Sequence, residues 1–458
     1  MDTHKFEVRE IAKRVRDFHR AKKPFRMYHG SSYNTHSSGY NSRTMIDITH
    51  LRHILAINTM RNCAVVEPNV SMGQLVKETL KYRLIPIVVP SFRSITVGGA
   101  FSGIAAESSS YKSGYFSQSV TRVEVVLGNG DRVKVSCEEH QELFSGLAGG
   151  LGTFGIVTLL EVSLMPAMER IEITYSLIPD SGGRDETIAA CQKAIGNPKY
   201  EFVDGMIFKP PSPIYAVIVQ GRMTDESPRK TSPRKDSWFY LHAATRPIET
   251  WNSPTYTEIL PIADYLFRYD CGAYWLGKLA LGIFPCNSVT KKLISPWLRA
   301  DRIVTALHKA GHTQHLIIQD AVLPIENADK FIHYLEDRVQ IYPLWLCPVR
   351  VNSISIMQQH PQSADILINI GIRGCPDDTL MEYDRFKTMS QHIESRIGEL
   401  GGLKWLYPPV FCTEEEFWKI HDLGKYNELR EKNHAGLLLN VYEKVRARGK
   451  IRKSNWTT

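Results

Sequence analysis

Between Ile95 and Gly130 the chain reads ITVGGAFSGIAAESSSYKSGYFSQSVTRVEVVLGNG. Six glycines and a dense set of Ser and Thr hydroxyls lie there between apolar stretches. Glycine permits positive φ and close approach of the backbone, while free N–H groups and hydroxyls receive phosphate oxygens. Taken singly, each glycine reads as a turn residue. Taken in this order, the run is shaped to lie against a large, flat, phosphate-bearing ligand.

The rest of the chain is long enough to build around such a site. Its 458 residues allow two or three domains with a sizeable core. Hydrophobic residues make up 43% and charged residues 23%, which suits a globular protein and excludes a disordered one. The net charge of +8 is spread along the sequence, with basic clusters at Lys13 to Lys23 and Lys444 to Lys453. These read as a solvated helix face and a frayed tail, and without zinc-ligand spacing or a nucleic-acid motif no nucleic-acid partner is expected. The eight cysteines are far apart with no CxxC, so buried thiols in a reducing, cytoplasmic compartment are expected rather than disulfides or a metal site. No stretch reaches the roughly 18 to 20 apolar residues that span a bilayer. The best lipid-facing segment, AYWLGKLALGIFPC at Ala273 to Cys286, is interrupted by Lys278. It reads as a buried helix or the wall of an apolar pocket, with peripheral contact to a membrane such as the endoplasmic reticulum as the alternative.

Periodicity orders the elements. Ile11, Val15 and Phe18 give helical spacing over about Val8 to Ala21. Extended segments follow at Met45 to Ile48, His53 to Asn58 and Cys63 to Pro68. Ser71 with Gln74 forms a capping-box pattern for a helix reaching about Tyr82, and IPIVVP then reads as a short buried strand. VEVVLGNGDRVKV is two strands about Asn129-Gly130, predicting a type I′ hairpin, and GIVTLLEVSL closes the domain near Pro166. Beyond it, strands at Ile173, Tyr215, LIIQDAVLP and ILINIGIRG alternate with helices at Glu186 to Ile195 and Ala328 to Val339. The polar stretch Asp225 to Ser237 reads as a loop.

The motifs are specific enough to compare with a known family. TVGGAFSG from Thr96, ESSSYKSGYF from Glu107, VEVVLGNGD from Val123 and GLGTFGIVT from Gly150 resemble, in order and spacing, the flavin-binding domain of the vanillyl-alcohol-oxidase (PCMH-type) flavoproteins. Within that superfamily the uninterrupted ESSS, VEPNVSMGQL at Val66 and YPLWLCP at Tyr342 are closer to the sterol Δ24-reductase (diminuto/seladin-like) branch, as are FVDGMIF, MTDE, QDAVLP and EEFW. The resemblance implies an α+β protein, with a PCMH-type FAD-binding domain over residues 1–167 and an α+β cap domain over 168–458 whose C-terminal segment returns to the flavin domain.

It also implies where FAD lies. Thr96, Val97, Gly98, Gly99, Ala100, Gly103, Glu107, Ser108 and Ser109 would run along the pyrophosphate and ring, with Gly114, Gly152, Thr153, Gly155, Ile156 and Val157 completing the pocket. MYHGSSYNTHS takes the place of the first phosphate loop, through Gly30, Ser31 and Ser32. Relatives that tether flavin covalently do so through a His in a GGHS-like loop, whereas Tyr33 or Asn34 falls near the tether here, with His29 and His36 flanking. Non-covalent FAD is the expectation. No GxGxxG opens a βαβ unit, so no Rossmann site for NADPH is visible, but a diffusible reductant meeting the flavin directly needs none.

The implied reaction saturates an isolated side-chain alkene of a sterol or terpenoid, a small apolar substrate. Hydride delivered to one carbon must be matched by a proton at the other. Candidate acids are Asp320, Lys112 and Glu415, with Glu416, Tyr269 and His315 behind them. Two readings stand beside this one: a flavin oxidase or dehydrogenase of an alcohol or 2-hydroxy acid, and a fold kept for binding alone.

Overall fold

The computed structural model describes residues 2–30, 40–179, 184–209, 214–227, 238–249, 255–281, 298–351, 355–358, 365–376 and 381–447. Ser31, Ser32, Tyr33, Asn34 and His36, the end of the polar loop, and Cys286 lie outside them. The fold is α+β.

The first element is helix α1 (Asp2–Arg20), which begins well before the apolar spacing announces it. Its buried stripe of Val8, Ile11, Ala12, Val15 and Phe18 packs on Ile46, Ile48 and Leu51. Strands β1 (Arg26–Tyr28) and β2 (Met45–Asp47) pair in parallel beside it. A six-stranded sheet follows, from β3 (Ile54–Asn58), β4 (Cys63–Val66), β5 (Leu84–Pro86), β6 (Val120–Val126), β7 (Arg132–Ser136) and β8 (Ile156–Pro166). Long β8 is its spine, pairing antiparallel with β4, β5 and β6.

Helix α2 (Met72–Thr79) starts where Ser71 accepts the Gln74 N–H at 3.2 Å, as the sequence pattern predicts. Two expectations are corrected. The strand in IPIVVP is confined to Leu84–Pro86, pairing with Pro166 to Leu164, and stops before Val88. The β6–β7 connection is not a type I′ turn, since the left-handed conformation falls on Gly130 alone (φ +88°). Gly130 N–H closes a turn onto Leu127 C=O, and Leu127 N–H reaches Asp131 C=O, so Gly130 acts as the bulge of a longer loop. A Cβ at Gly130 would sit 2.7 Å from Ala12 C=O, so α1 lies directly on this loop.

The later strands among the described residues join one eight-stranded antiparallel sheet, in the order β12-β9-β11-β10-β14-β15-β13-β16. These are β9 (Arg170–Pro179), β10 (Phe202–Phe208), β11 (Tyr215–Thr224), β12 (Thr255–Pro261), β13 (Ile317–Pro324), β14 (Leu344–Arg350), β15 (Ile366–Gly374) and β16 (Leu403–Lys404). Strand side chains alternate between faces, and the alternation sorts this sheet cleanly. Val203, Ile207, Ala321, Leu323, Leu344, Leu346, Ile368 and Ile370 face a core shared with the helices Arg184–Ile195, Ala328–Tyr334 and Tyr383–Glu399. Met206, Val322, Trp345, Cys347 and Leu367 face the opposite way, into a core continuous with Val97, Phe101 and Phe116 of the first part. Asp204, Asp320, Asn369, Gly371 and Arg373 share the parity of this second set. Period two thus brings polar residues of the second sheet to the glycine-rich segment. No helix among the described residues is long and apolar enough to cross a membrane.

Candidate active site

The glycine-rich run begins as a short helix, α3 (Val97–Ser102). Thr96 is extended and caps it, its hydroxyl oxygen accepting the Gly99 N–H at 3.1 Å. Val97, Ala100 and Phe101 are buried, whereas Thr96, Gly98, Ser102 and Gly103 are partly exposed and Gly99 is exposed. α3 therefore hides its large side chains and bares a face of small ones. Gly98 serves a different need, because its N–H donates to Pro68 C=O at 2.8 Å and a Cβ there would lie 2.7 Å from Pro68 Cβ.

A second loop lies against α3. Gly149 N–H bonds to Phe101 C=O at 3.2 Å and Leu151 N–H to Ser102 C=O at 3.0 Å, with Gly149, Leu151 and Gly152 all at positive φ. A Cβ on Gly152 would meet Met27 Cε at 2.3 Å, so β1 closes the third side. Gly30, at φ +68°, follows β1 against Thr49. The bared side of α3, the Gly149–Gly152 loop and β1 make one continuous strip of small residues and turned backbone. That is the surface a long dinucleotide needs, and the residues fit FAD. Thr153 faces inward, its hydroxyl donating to Gly150 C=O at 2.7 Å and accepting from Tyr426 at 3.0 Å. Gly155 packs under Val125, while Ile156 and Val157 lie in β8 against β6. Gly114, at φ +72°, abuts Gln118.

Glu107 is tied to the second sheet through Arg268. Its buried carboxylate accepts from Ser91 Oγ at 2.6 Å, from Ser108 N–H and Oγ at 2.5 Å, and from Arg268 Nη2 at 3.1 Å. The same Arg268 nitrogen reaches Asp204 Oδ2 at 2.8 Å, an oxygen that also accepts from Tyr269 at 2.7 Å and Trp345 Nε1 at 3.1 Å. Burial raises the Asp204 carboxyl's pKa, Arg268 opposes that, and Glu107 adds to it. Ser108 C=O accepts the Val203 N–H at 2.8 Å, and Ser109 Oγ donates to Ile87 C=O at 2.9 Å. The ESSS turn is thus the fastening between glycine run and second sheet.

Asp320 forms a neighbouring hub. It is fully buried and accepts from Asn369 Nδ2 at 2.8 Å, Arg373 Nη2 at 2.9 Å and the Tyr407 hydroxyl. Arg373 lies over the Tyr274 ring at 4.2 Å, Tyr274 stacks on Tyr269 at 4.3 Å, and the Tyr274 hydroxyl is 3.1 Å from Ser91 Oγ. Ser91 and Tyr274 therefore link the two hubs. Cys347 lies between them, its thiol pKa pushed well up by burial and then by Glu107, Asp204 and Asp320.

The three foremost acid candidates are not brought together. Lys112 is exposed, donating to the Tyr200 and Pro198 carbonyls. Glu415 is 80% exposed and paired with Lys419 at 2.8 Å, and Glu416 closes the capping box of Thr413. His315 holds Met381 C=O. Of these candidates Asp320 and Tyr269 alone are buried within the linked hubs that reach the ESSS turn. Sequence reasoning misses Arg268 and Tyr407, which lie in no glycine-rich or otherwise marked segment, and Arg373, since ILINIGIRG marks a strand without marking its one charge.

Comparison with known proteins agrees with this geometry. Residues 7–136 match the family model described as an FAD binding domain. A Delta(24)-sterol reductase of Pisum sativum is 28% identical over 89% of this protein and 77% of its own length. The Delta(24)-sterol reductase of Homo sapiens is 26% identical over 96% of this protein and 86% of its own length. Cytokinin dehydrogenase 9 of Oryza sativa subsp. japonica is 36% identical, but over only 26% of this protein and 24% of its own length. The chain thus carries an FAD-binding domain before Cys137, and its likeness to the Delta(24)-sterol reductases runs through both sheets, which is consistent with the sterol-reductase branch of the PCMH-type FAD flavoproteins.

Proposed function

We propose that the protein is an FAD-dependent oxidoreductase that saturates a carbon–carbon double bond in the side chain of a sterol or related terpenoid, with NADPH as electron donor and FAD held non-covalently. The observation that carries this reading is the extent of the likeness. Delta(24)-sterol reductases match 89% to 96% of the sequence, including the second sheet, whereas the cytokinin dehydrogenase matches about a quarter. Substrate choice belongs to the sheet and its walls, so the oxidase reading has support in the cofactor half alone.

Bound FAD supplies the hydride; the protein must hold the alkene, exclude water and deliver a proton. Tyr269, Tyr274 and Trp345 pack together as a buried aromatic cluster between the hubs, apolar carbon against which a sterol side chain would lie. For the proton we infer an Asp320–Tyr407 pair: Tyr407 carries an O–H and is partly exposed, Asp320 is buried against it, and Arg373 fixes the carboxylate. Lys112 and Glu415, on outer surfaces, have no part in it. Exposed Met60, Tyr82 and Met168 flank the end of β8 beside Arg61 and Arg83, and this edge would rest on a membrane that supplies the substrate.

The test is anaerobic. NADPH should bleach the bound flavin, and a sterol bearing a side-chain alkene should restore its absorbance with one equivalent of saturated product. Bleaching without recovery would refute the substrate class and leave the flavin reading intact, while peroxide release on adding an alcohol without NADPH would favour the oxidase.

A further inference from the structure

Lys444 lies almost three hundred residues from the loop it touches. The C-terminal segment carries it back there by a series of fixed contacts. Arg430 donates to Thr153 C=O at 2.5 Å and to Leu438 C=O at 2.6 Å, and Tyr426 donates to Thr153 Oγ1 while accepting the Val441 N–H at 2.8 Å. Asn440 then caps the helix Val441–Val445 by accepting the Glu443 N–H at 2.7 Å. These clamps place Lys444 Nζ 3.8 Å from where a Cβ on Gly152 would stand.

Among the described residues no carboxylate pairs with the Lys444 ammonium. Among the same residues the Lys444 ammonium makes one hydrogen bond, to Leu151 C=O, and an ammonium has three donors. The neighbouring charge that acts on it is another cation, Arg26 of β1. Glu443, the adjacent carboxylate, is turned to Arg446 at 2.9 Å. Burial and Arg26 together pull the Lys444 pKa down to about 8. Two cations meet where Gly152, Met27 and α3 form the strip that fits a dinucleotide, and a core-facing structural lysine would be expected to bring its carboxylate with it.

We propose that Lys444, with Arg26 beside it, binds the diphosphate of FAD, so that the C-terminal segment completes the cofactor site. The inference rests on the reading that FAD occupies the strip. An ammonium with two donors left can take phosphate oxygens, and an anion relieves the repulsion between the two cations.

Full-length protein stripped of flavin is titrated with FAD, ADP and riboflavin, following flavin fluorescence or ADP calorimetry. Lys444→Met should weaken FAD and ADP by about tenfold to a hundredfold, the range of a lost charge-assisted hydrogen bond. Riboflavin, which lacks the diphosphate, should bind as before, and Lys444→Arg should restore ADP to within about threefold. Unchanged affinity for FAD and ADP in Lys444→Met would overturn the proposal, as would an equal loss of riboflavin. If that variant does not fold, wild-type protein decides: ADP but not riboflavin should protect Lys444 from acylation by acetic anhydride, read by mass spectrometry, and equal labelling would overturn it. A wild type that takes up no FAD would instead sink the FAD reading itself.

Discussion

Asp320 was legible as a chemical residue from its place in QDAVLP, but its partners were not. Asn369, Arg373 and Tyr407 come from positions 49, 53 and 87 residues away; the register of β13 against β15 brings in the first two, and β16 beside β13 brings in Tyr407. A single glycine makes the arrangement fit. A Cβ at Gly371 would stand 2.1 Å from Arg373 Nη1 and 2.8 Å from Asp320 Oδ1. Arginine ends usually swing aside, but this one is buried, paired and stacked on Tyr274. Gly371→Ala should therefore separate the pair and leave Asp320 buried without its cation, at a cost of about 3 to 5 kcal/mol. Thermal or urea unfolding measures that loss. Gly398 is the matched control, since it lies in the helix Tyr383–Glu399 with nothing within 4 Å of its Cβ position. Gly398→Ala should stabilise by about 0.5 to 1 kcal/mol, and a loss at Gly398 equal to that at Gly371 would remove the argument from the ion pair.

Among the elements, those with a clear period were readable and those fixed by a polar contact were not. The middle of α1 follows from Ile11, Val15 and Phe18, but its first turn buries His4, a residue that no apolar pattern selects. His4 Nδ1 lies 2.8 Å from Glu67 Oε1 and its Nε2 3.5 Å from Glu124 Oε1, tying α1 to the six-stranded sheet. Burial opposes charge on the ring, yet hydrogen bonds to Glu124 and Glu67 raise its pKa from an ordinary 6.5 to about 9. Burial also opposes charge on Glu124, and His4, Thr158 and Arg132 lower it from an ordinary 4.5 to about 2. The raised histidine stabilises fully below pH 6.5 and loses that contribution as pH rises through about 9. The lowered carboxylate stabilises above pH 4.5 and loses it as pH falls through about 2. His4→Gln should thus cost most between pH 4.5 and 6.5, about 3 kcal/mol, with the difference from wild type shrinking on both sides. Denaturant unfolding at several pH values checks the shape, and a difference that is flat from pH 4 to 9 would refute the charged pair. The β6–β7 loop failed for a related reason, since Asn-Gly marks a turn but α1 packed on Gly130 accompanies a longer one.

At the scale of the whole molecule, the sequence shows the change of sheet near Pro166 but not how firmly the two sheets are joined. One apolar core runs through both, from Ala64 and Phe101 through Ile171, Trp345 and Leu367 to Val441. Across it lies the Glu107–Arg268–Asp204 bridge, with the Val203 N–H to Ser108 C=O bond beside it. These contributions differ in what they do: apolar burial is non-directional and scales with area, whereas the bridge fixes one register and is costly when half removed. Arg268→Met leaves Glu107 and Asp204 facing each other without their cation. It should cost about 3 to 5 kcal/mol, lowering the melting temperature while the flavin strip, built from α3, β1 and the Gly149–Gly152 loop, keeps its own contacts. Since the core is shared, unfolding should remain a single transition in wild type and in Arg268→Met, with calorimetric and van't Hoff enthalpies in agreement for both. Two separated transitions in the variant would mean that the bridge, rather than the apolar core, makes the sheets fold together. That result would turn the ESSS segment from a clasp on an already continuous core into the principal joint of the protein.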